Sequence, residues 1–135
     1  MIKLNLLFVV SSLLFSCKTA PAQTPELKES IARGAAVYDE FCMSCHMPDG
    51  KGVAEVYPPL ANSDYLMKKR QESIKAVKYG LSEEITVNGV KYNSAMAALG
   101  LYDDEVADVM NYILNSWGNE DGKIVTVAEV SKIEP

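Results

Sequence analysis

Cys42-Met43-Ser44-Cys45-His46 is the densest chemistry in this 135-residue chain. Two thiols at this spacing can add to the two vinyl groups of one haem, and the imidazole next in sequence can bind its iron. The same cysteine pair could instead be half of a zinc site or a thioredoxin-like redox pair. Zinc needs roughly four ligands, whereas the chain has one histidine and no second cysteine pair. A thioredoxin-like pair sits in a βαβ pattern, which is absent. The motif therefore reads as covalent haem attachment through Cys42 and Cys45, with His46 as an axial iron ligand.

Because His46 is the only histidine, bis-histidine ligation within one chain is excluded. Methionine sulfur is the leading alternative, with Met43, Met47, Met67, Met96 and Met110 as candidates. Met43 and Met47 are tied too closely to His46 to reach the opposite haem face. Met110 falls in a terminal helix and Met67 in a short helix beside Lys68 and Lys69, positions that suit packing. Met96 lies in an irregular stretch far enough along the chain to wrap around the haem. It is the expected distal ligand, with loop packing as the alternative.

The elements that must position these residues are legible in turn. Thr24 before Pro25 starts a helix that presents Leu27, Ile31, Gly34, Tyr38 and Phe41 on one face and runs into the cysteine motif. From Met47 to Pro59, Asp49-Gly50, Gly52 and Pro58-Pro59 interrupt periodic structure and predict a loop. Ser63 with Asp64 can cap a short helix over Tyr65 to Lys69, and another follows over Glu72 to Tyr79, stopping at Gly80. Asn88-Gly89, flanked by Ile85, Val87, Val90 and Tyr92, predicts a hairpin just before the Met96 loop. Asp103, Asp104 and Glu105 suit a helix N-terminus, with Val106, Val109, Ile113 and Trp117 as its apolar face and Gly118 as its stop. Thr126 with Glu129 reads as a capping box in the tail.

In this order the elements resemble the class I cytochrome c family over roughly Leu27 to Asn119. A closer likeness is to the cytochrome c modules that accompany copper nitrite reductases and quinoprotein dehydrogenases. It is carried by Tyr57-Pro58-Pro59-Leu60-Ala61, Ile85-Thr86-Val87-Asn88-Gly89, Tyr92-Asn93 with Met96, and Asn115-Ser116-Trp117-Gly118-Asn119. The implied fold class is all-α: roughly four to five helices around one covalently bound haem, with a small β-hairpin before the distal methionine loop. The resemblance also implies that the backbone carbonyl of Pro58 or Pro59 accepts a hydrogen bond from His46. Pro59 accordingly joins Cys42, Cys45, His46 and Met96 as a cofactor-binding residue. Gly34 and Tyr38 should cross Tyr112 on the last helix, and Trp117 should be core or a wall of the haem pocket. Such modules commonly carry Met-Pro in the distal loop, whereas Ala97 follows Met96 here. A looser loop would let the methionine leave the iron, which keeps a gas-binding or sensor role as the alternative function.

Nitrogen and thioether ligation leaves no open position on iron and favours one-electron transfer. The class resemblance implies a relay between a periplasmic donor and a reductase, oxidase or dehydrogenase. No nucleophile, base pair or phosphate loop suggests enzyme chemistry or a small-molecule substrate of its own.

Before this domain, residues 1–16 read as a signal peptide with an apolar core behind Lys3. Leu14-Phe15-Ser16-Cys17 resembles a bacterial lipobox, making Cys17 the lipid-bearing first residue of an exported protein anchored on the periplasmic side of the membrane; an ordinary signal peptide cut after Ala20 or Ala22, or an uncleaved signal anchor, is the alternative. Residues 17–25 form a tether, whose Lys18 to Pro25 stretch reaches on the order of 25 Å when extended at about 3.1 Å per residue. Residues 26–119 make the cytochrome domain and 120–135 a C-terminal extension. Losing residues 1–16 removes Lys3 and no acid, so the net charge moves from −5 to −6. That sign disfavours nucleic acid and suits redox partner proteins with a basic docking patch, with solubility alone as the alternative reading of a mildly acidic balance.

Overall fold

The structure is a computed structural model that describes residues 23–135. The signal segment, Cys17 and most of the tether lie outside the described residues. Among the described residues no helix is long and apolar enough to cross a membrane.

The Thr24 hydroxyl accepts the Leu27 N–H at 3.2 Å and Pro25 takes the first helical position, so α1 (Pro25–Phe41) starts where the sequence predicts. Its buried stripe is Leu27, Ser30, Gly34 and Tyr38, while Ile31 and Phe41 are only half-buried. Ser30 replaces Ile31 on the inner face because its hydroxyl donates to Asp108 of α5 (Asp103–Ile113) at 2.6 Å. The two helices cross at Gly34, where an added Cβ would overlap the Asp108 carbonyl and lie 2.9 Å from the Cβ of Tyr112. The expected crossing against Tyr112 is therefore present, with the Tyr38 and Tyr112 rings 5.3 Å apart.

Helix α5 ends four residues before the position that apolar spacing suggests. Asn115 Nδ2 donates to the Asn111 carbonyl at 2.9 Å and Ser116 Oγ to the Tyr112 carbonyl at 2.6 Å, so side chains take acceptors that a continuing helix would need. Trp117 consequently sits in a turn at φ 51°, off the helix face, and packs on Tyr38 and Tyr112 with centroids 5.0 and 5.4 Å away.

Between these helices lie α2 (Met43–His46), α3 (Asp64–Lys68) and α4 (Arg70–Tyr79), the last closed by Gly80 as expected. Strands β1 (Ile85–Val87) and β2 (Val90–Tyr92) pair antiparallel with Val87 opposite Val90. Asn88 and Gly89 take φ values of 50° and 80°, the left-handed pair that a two-residue hairpin requires. Asp64 and Asn88 exchange backbone-to-side-chain hydrogen bonds of 3.0 and 2.7 Å, tying the hairpin tip to the start of α3.

The tail folds back as α6 (Val127–Val130), with Val125 and Val130 buried in the main core beside Ile74, Val106 and Met110. The Thr126 hydroxyl accepts the Glu129 N–H at 3.1 Å, but the Glu129 carboxylate turns to Arg70, so only half of the expected capping box forms. Six helices are present among the described residues rather than four or five. The difference lies in the single turns α2 and α6, too short for a periodic signal.

Candidate functional site

Cys42 closes α1 by donating its N–H to the Tyr38 carbonyl, and the next turn is held by Cys45 N–H and His46 N–H bonding to the Cys42 carbonyl at 3.2 and 3.0 Å. Positions i, i+3 and i+4 of one helical turn share a face, which is why this spacing aims both sulfurs and the imidazole into the same space. Cys42 and Cys45 are not joined to each other as a disulfide. Before haem attachment, burial and then the neighbouring Cys45 push the Cys42 thiol up to about 11. Met47 ends the turn at φ 64°, where its carbonyl accepts the Tyr38 hydroxyl at 2.7 Å.

The loop that follows curls back on this turn. Gly52 N–H donates to the His46 carbonyl at 3.0 Å, Leu60 and Ala61 N–H both donate to the Gly50 carbonyl, and Trp117 Nε1–H donates to the Pro48 carbonyl at 3.0 Å. This fold presents the Pro58 carbonyl to His46, whose Nδ1–H donates to it at 3.0 Å. The acceptor is thus Pro58, and Pro59 only lines the adjoining cavity. Burial lowers the His46 pKa, against the smaller opposing effect of the Pro58 bond, so the ring is neutral. With Nδ1 carrying the proton, Nε2 keeps a lone pair for a metal.

Met96 reaches the same cavity from the chain after the hairpin. Its N–H and C=O pair with those of Leu81 at 2.8 Å each, so a stretch that reads as irregular is held at this residue by an isolated antiparallel bridge. Cys42, Cys45, His46, Pro59 and Met96 all line one cavity of about 960 Å³, measured with its open mouth. Met96 is the only methionine on its wall among the described residues. Met110 is fully buried in the core, Met43 packs against that core, and Met67 is exposed. Trp117 lies outside the lining and belongs to the aromatic core, whereas Tyr57, Tyr65 and Tyr92 are on the wall.

No Asp, Glu, Lys or Arg among the described residues lines this cavity. Among the described residues no three His, Cys, Asp or Glu converge as a metal cluster. A bare ion would find too few donors here, but a macrocycle that brings four nitrogens to its own iron needs only one more donor on each face. Its apolar body suits walls such as Leu66, Ile85, Val87, Val109 and Ile113, and its vinyl groups suit Cys42 and Cys45. The residues present therefore fit haem c.

Leu81, the backbone partner of Met96, escaped sequence reasoning because a bridge between isolated residues has no periodicity. Asn111 also escaped, although an amide between Val109-Met110 and Ile113 on an apolar helix face was a usable signal.

Comparison with known proteins agrees with this geometry. The sequence model of a family described as Cytochrome c matches residues 31–117. Cytochrome c-552 of Thermus thermophilus is 37% identical over 111 residues, spanning 76% of this chain and 84% of that protein. The cytochrome c subunit of a quinone alcohol dehydrogenase from Gluconobacter oxydans is 32% identical over 74% of this chain, which corresponds to 21% of that longer protein. The fructose dehydrogenase cytochrome subunit of Gluconobacter japonicus is 32% identical over 64% of this chain and 19% of that subunit. The matched region contains both walls of the cavity, and on this ground the chain belongs to the cytochrome c family as a class I monohaem protein, with covalently bound haem c as its cofactor and electron transfer as its work.

Proposed function

We propose that this chain is a tethered one-electron relay in which Cys42 and Cys45 hold the haem and His46 and Met96 are its axial ligands. The observation that carries the reading is the meeting, among the described residues, of the Cys42–Cys45–His46 turn and a single methionine on one cavity without charged side chains. The haem supplies an iron that cycles between the ferric and ferrous states. The chain's own residues keep its surroundings constant while it does so. His46 is oriented by Pro58, the apolar walls exclude water, and the Leu81 bridge holds the Met96 backbone in place without a proline after it. Thioether ligation sets the potential above that of bis-histidine ligation.

Relatives named as cytochrome subunits of alcohol, fructose and gluconate dehydrogenases support a dehydrogenase as one partner. The net negative charge favours a partner with a basic docking surface. The lipobox-like Cys17 supports export and a lipid anchor on the periplasmic side, with the residues between Cys17 and the Thr24 cap of α1 as the tether.

Optical spectra of the mature protein, made with a cytochrome c maturation system, test the ligand set. The expected result is low-spin haem in both oxidation states, a weak red methionine-to-ferric-iron band that Met96→Ala abolishes, and no uptake of carbon monoxide by the reduced wild type. High-spin haem or ready binding of carbon monoxide would remove Met96 from the iron and make this a ligand-binding protein instead.

A further inference from the structure

Residues beyond the family match at 117 do more than extend the chain. Arg70 opens α4 and is only 18% exposed. Its guanidinium pairs with Asp121 and with Glu129 at 2.8 Å, and also donates to the carbonyls of Lys123 and Ile124. Burial works against this charge, but the two carboxylates outweigh it and hold the Arg70 pKa above its ordinary value. At the other end of α4, Lys78 Nζ donates to the Val130 carbonyl at 3.0 Å and the Tyr79 hydroxyl to that of Ile133 at 2.9 Å. Side chains at both ends of one ten-residue helix are thus bonded to the C-terminal segment.

The end of α4 leads straight into Leu81, whose two backbone bonds fix Met96. Gly80 between them packs so tightly that an added Cβ would lie 2.6 Å from the Met96 carbonyl oxygen. We infer that residues 119–133 are a strap that positions Met96 through α4, with Arg70 as the positioning residue. Holding α4 at both ends restrains the drift of Gly80 and Leu81, and so the opening of the Met96 bridge. The inference rests on the proposed reading of Met96 as distal ligand only for its consequence at the iron; its consequence for the backbone is independent.

The test uses the full holoprotein, with Arg70→Gln and the milder Glu129→Gln. The latter carries the test if the former fails to fold. Leu27→Ala, buried in α1 and not on the cavity wall, serves as a control for general destabilisation. In both strap variants, amide hydrogen exchange at Leu81 and Met96 should rise about tenfold more than at Val109 and Met110 of α5. Imidazole binding to the ferric protein, which requires Met96 to leave, should tighten by a similar factor. Leu27→Ala should raise exchange at all four amides together. If the strap variants behave like that control, the strap proposal is overturned while a normal red band keeps Met96 as ligand. If exchange rises selectively but the wild type lacks the band, the strap's hold on the loop stands and the ligand assignment falls.

Discussion

The backbone of Asp108 in α5 passes so close to Gly34 in α1 that no side-chain atom fits between them. Ser30 and Arg33 then bind the Asp108 carboxylate from the same helix, Arg33 with bonds of 2.6 and 2.8 Å. Gly34→Ala should gain about 1 kcal/mol of helix propensity but lose about 3 kcal/mol to overpacking against backbone. The expected net loss of about 2 kcal/mol would be read from the denaturant midpoint at unchanged slope.

Gly52 has φ 63°, and an added Cβ would overlap the Tyr57 carbonyl and lie 2.7 Å from that of Pro58. Gly52→Ala should therefore push the Pro58 carbonyl away from His46 Nδ1. A weaker bond makes the imidazole a less basic ligand, which stabilises ferric iron less. The midpoint potential should rise relative to wild type, and redox titration of the purified variant would show it. An unchanged potential would mean that the loop yields elsewhere.

Asn111 is fully buried, accepting the Val125 N–H at 2.7 Å and donating to the Val125 carbonyl at 2.9 Å and the Ser30 hydroxyl at 2.8 Å. Asn111→Ala strands both backbone groups of Val125 without water to replace the amide. The cost should be about 3 kcal/mol in equilibrium unfolding, comparable to removing a large core side chain despite the small volume lost.

The bond from Arg70 lowers the Glu129 pKa below its ordinary 4.5. A depressed folded value means that the pair's contribution is complete above the unfolded pKa and disappears as pH falls through the folded one. The thermal midpoint of the wild type should drop more steeply than that of Glu129→Gln below about pH 4.5, with the two curves converging in acid. Parallel curves would show that the carboxylate does not contribute.

Much of the architecture could be read from local chemistry. Thr24-Pro25, Ser63-Asp64 and Asn88-Gly89 mark element ends because capping and left-handed turns depend on a few adjacent atoms. Apolar spacing found the inner face of α1 but chose Ile31 over Ser30, since a polar residue becomes an inner one only when a distant Asp108 meets it. It overran α5 to Trp117, because the side-chain bonds of Asn115 and Ser116 that end the helix leave hydrophobic periodicity untouched.

For the site, the order Cys42, Cys45, His46 determined the attachment face by itself, because one helical turn converts that spacing into a common direction. A single histidine likewise excluded a second imidazole from the same chain and made methionine sulfur the leading expectation for the second ligand. Which proline carbonyl meets His46, which methionine shares its cavity, and what steadies that methionine without a following proline were decided by tertiary structure. Those relations join Pro58 to His46, Leu81 to Met96 and Arg70 to Glu129. The last two lie 15 and 59 residues apart, and the first requires the loop to turn back on itself. Neither propensity nor periodicity encodes such pairings, since both describe neighbours in sequence and not surfaces that meet on folding.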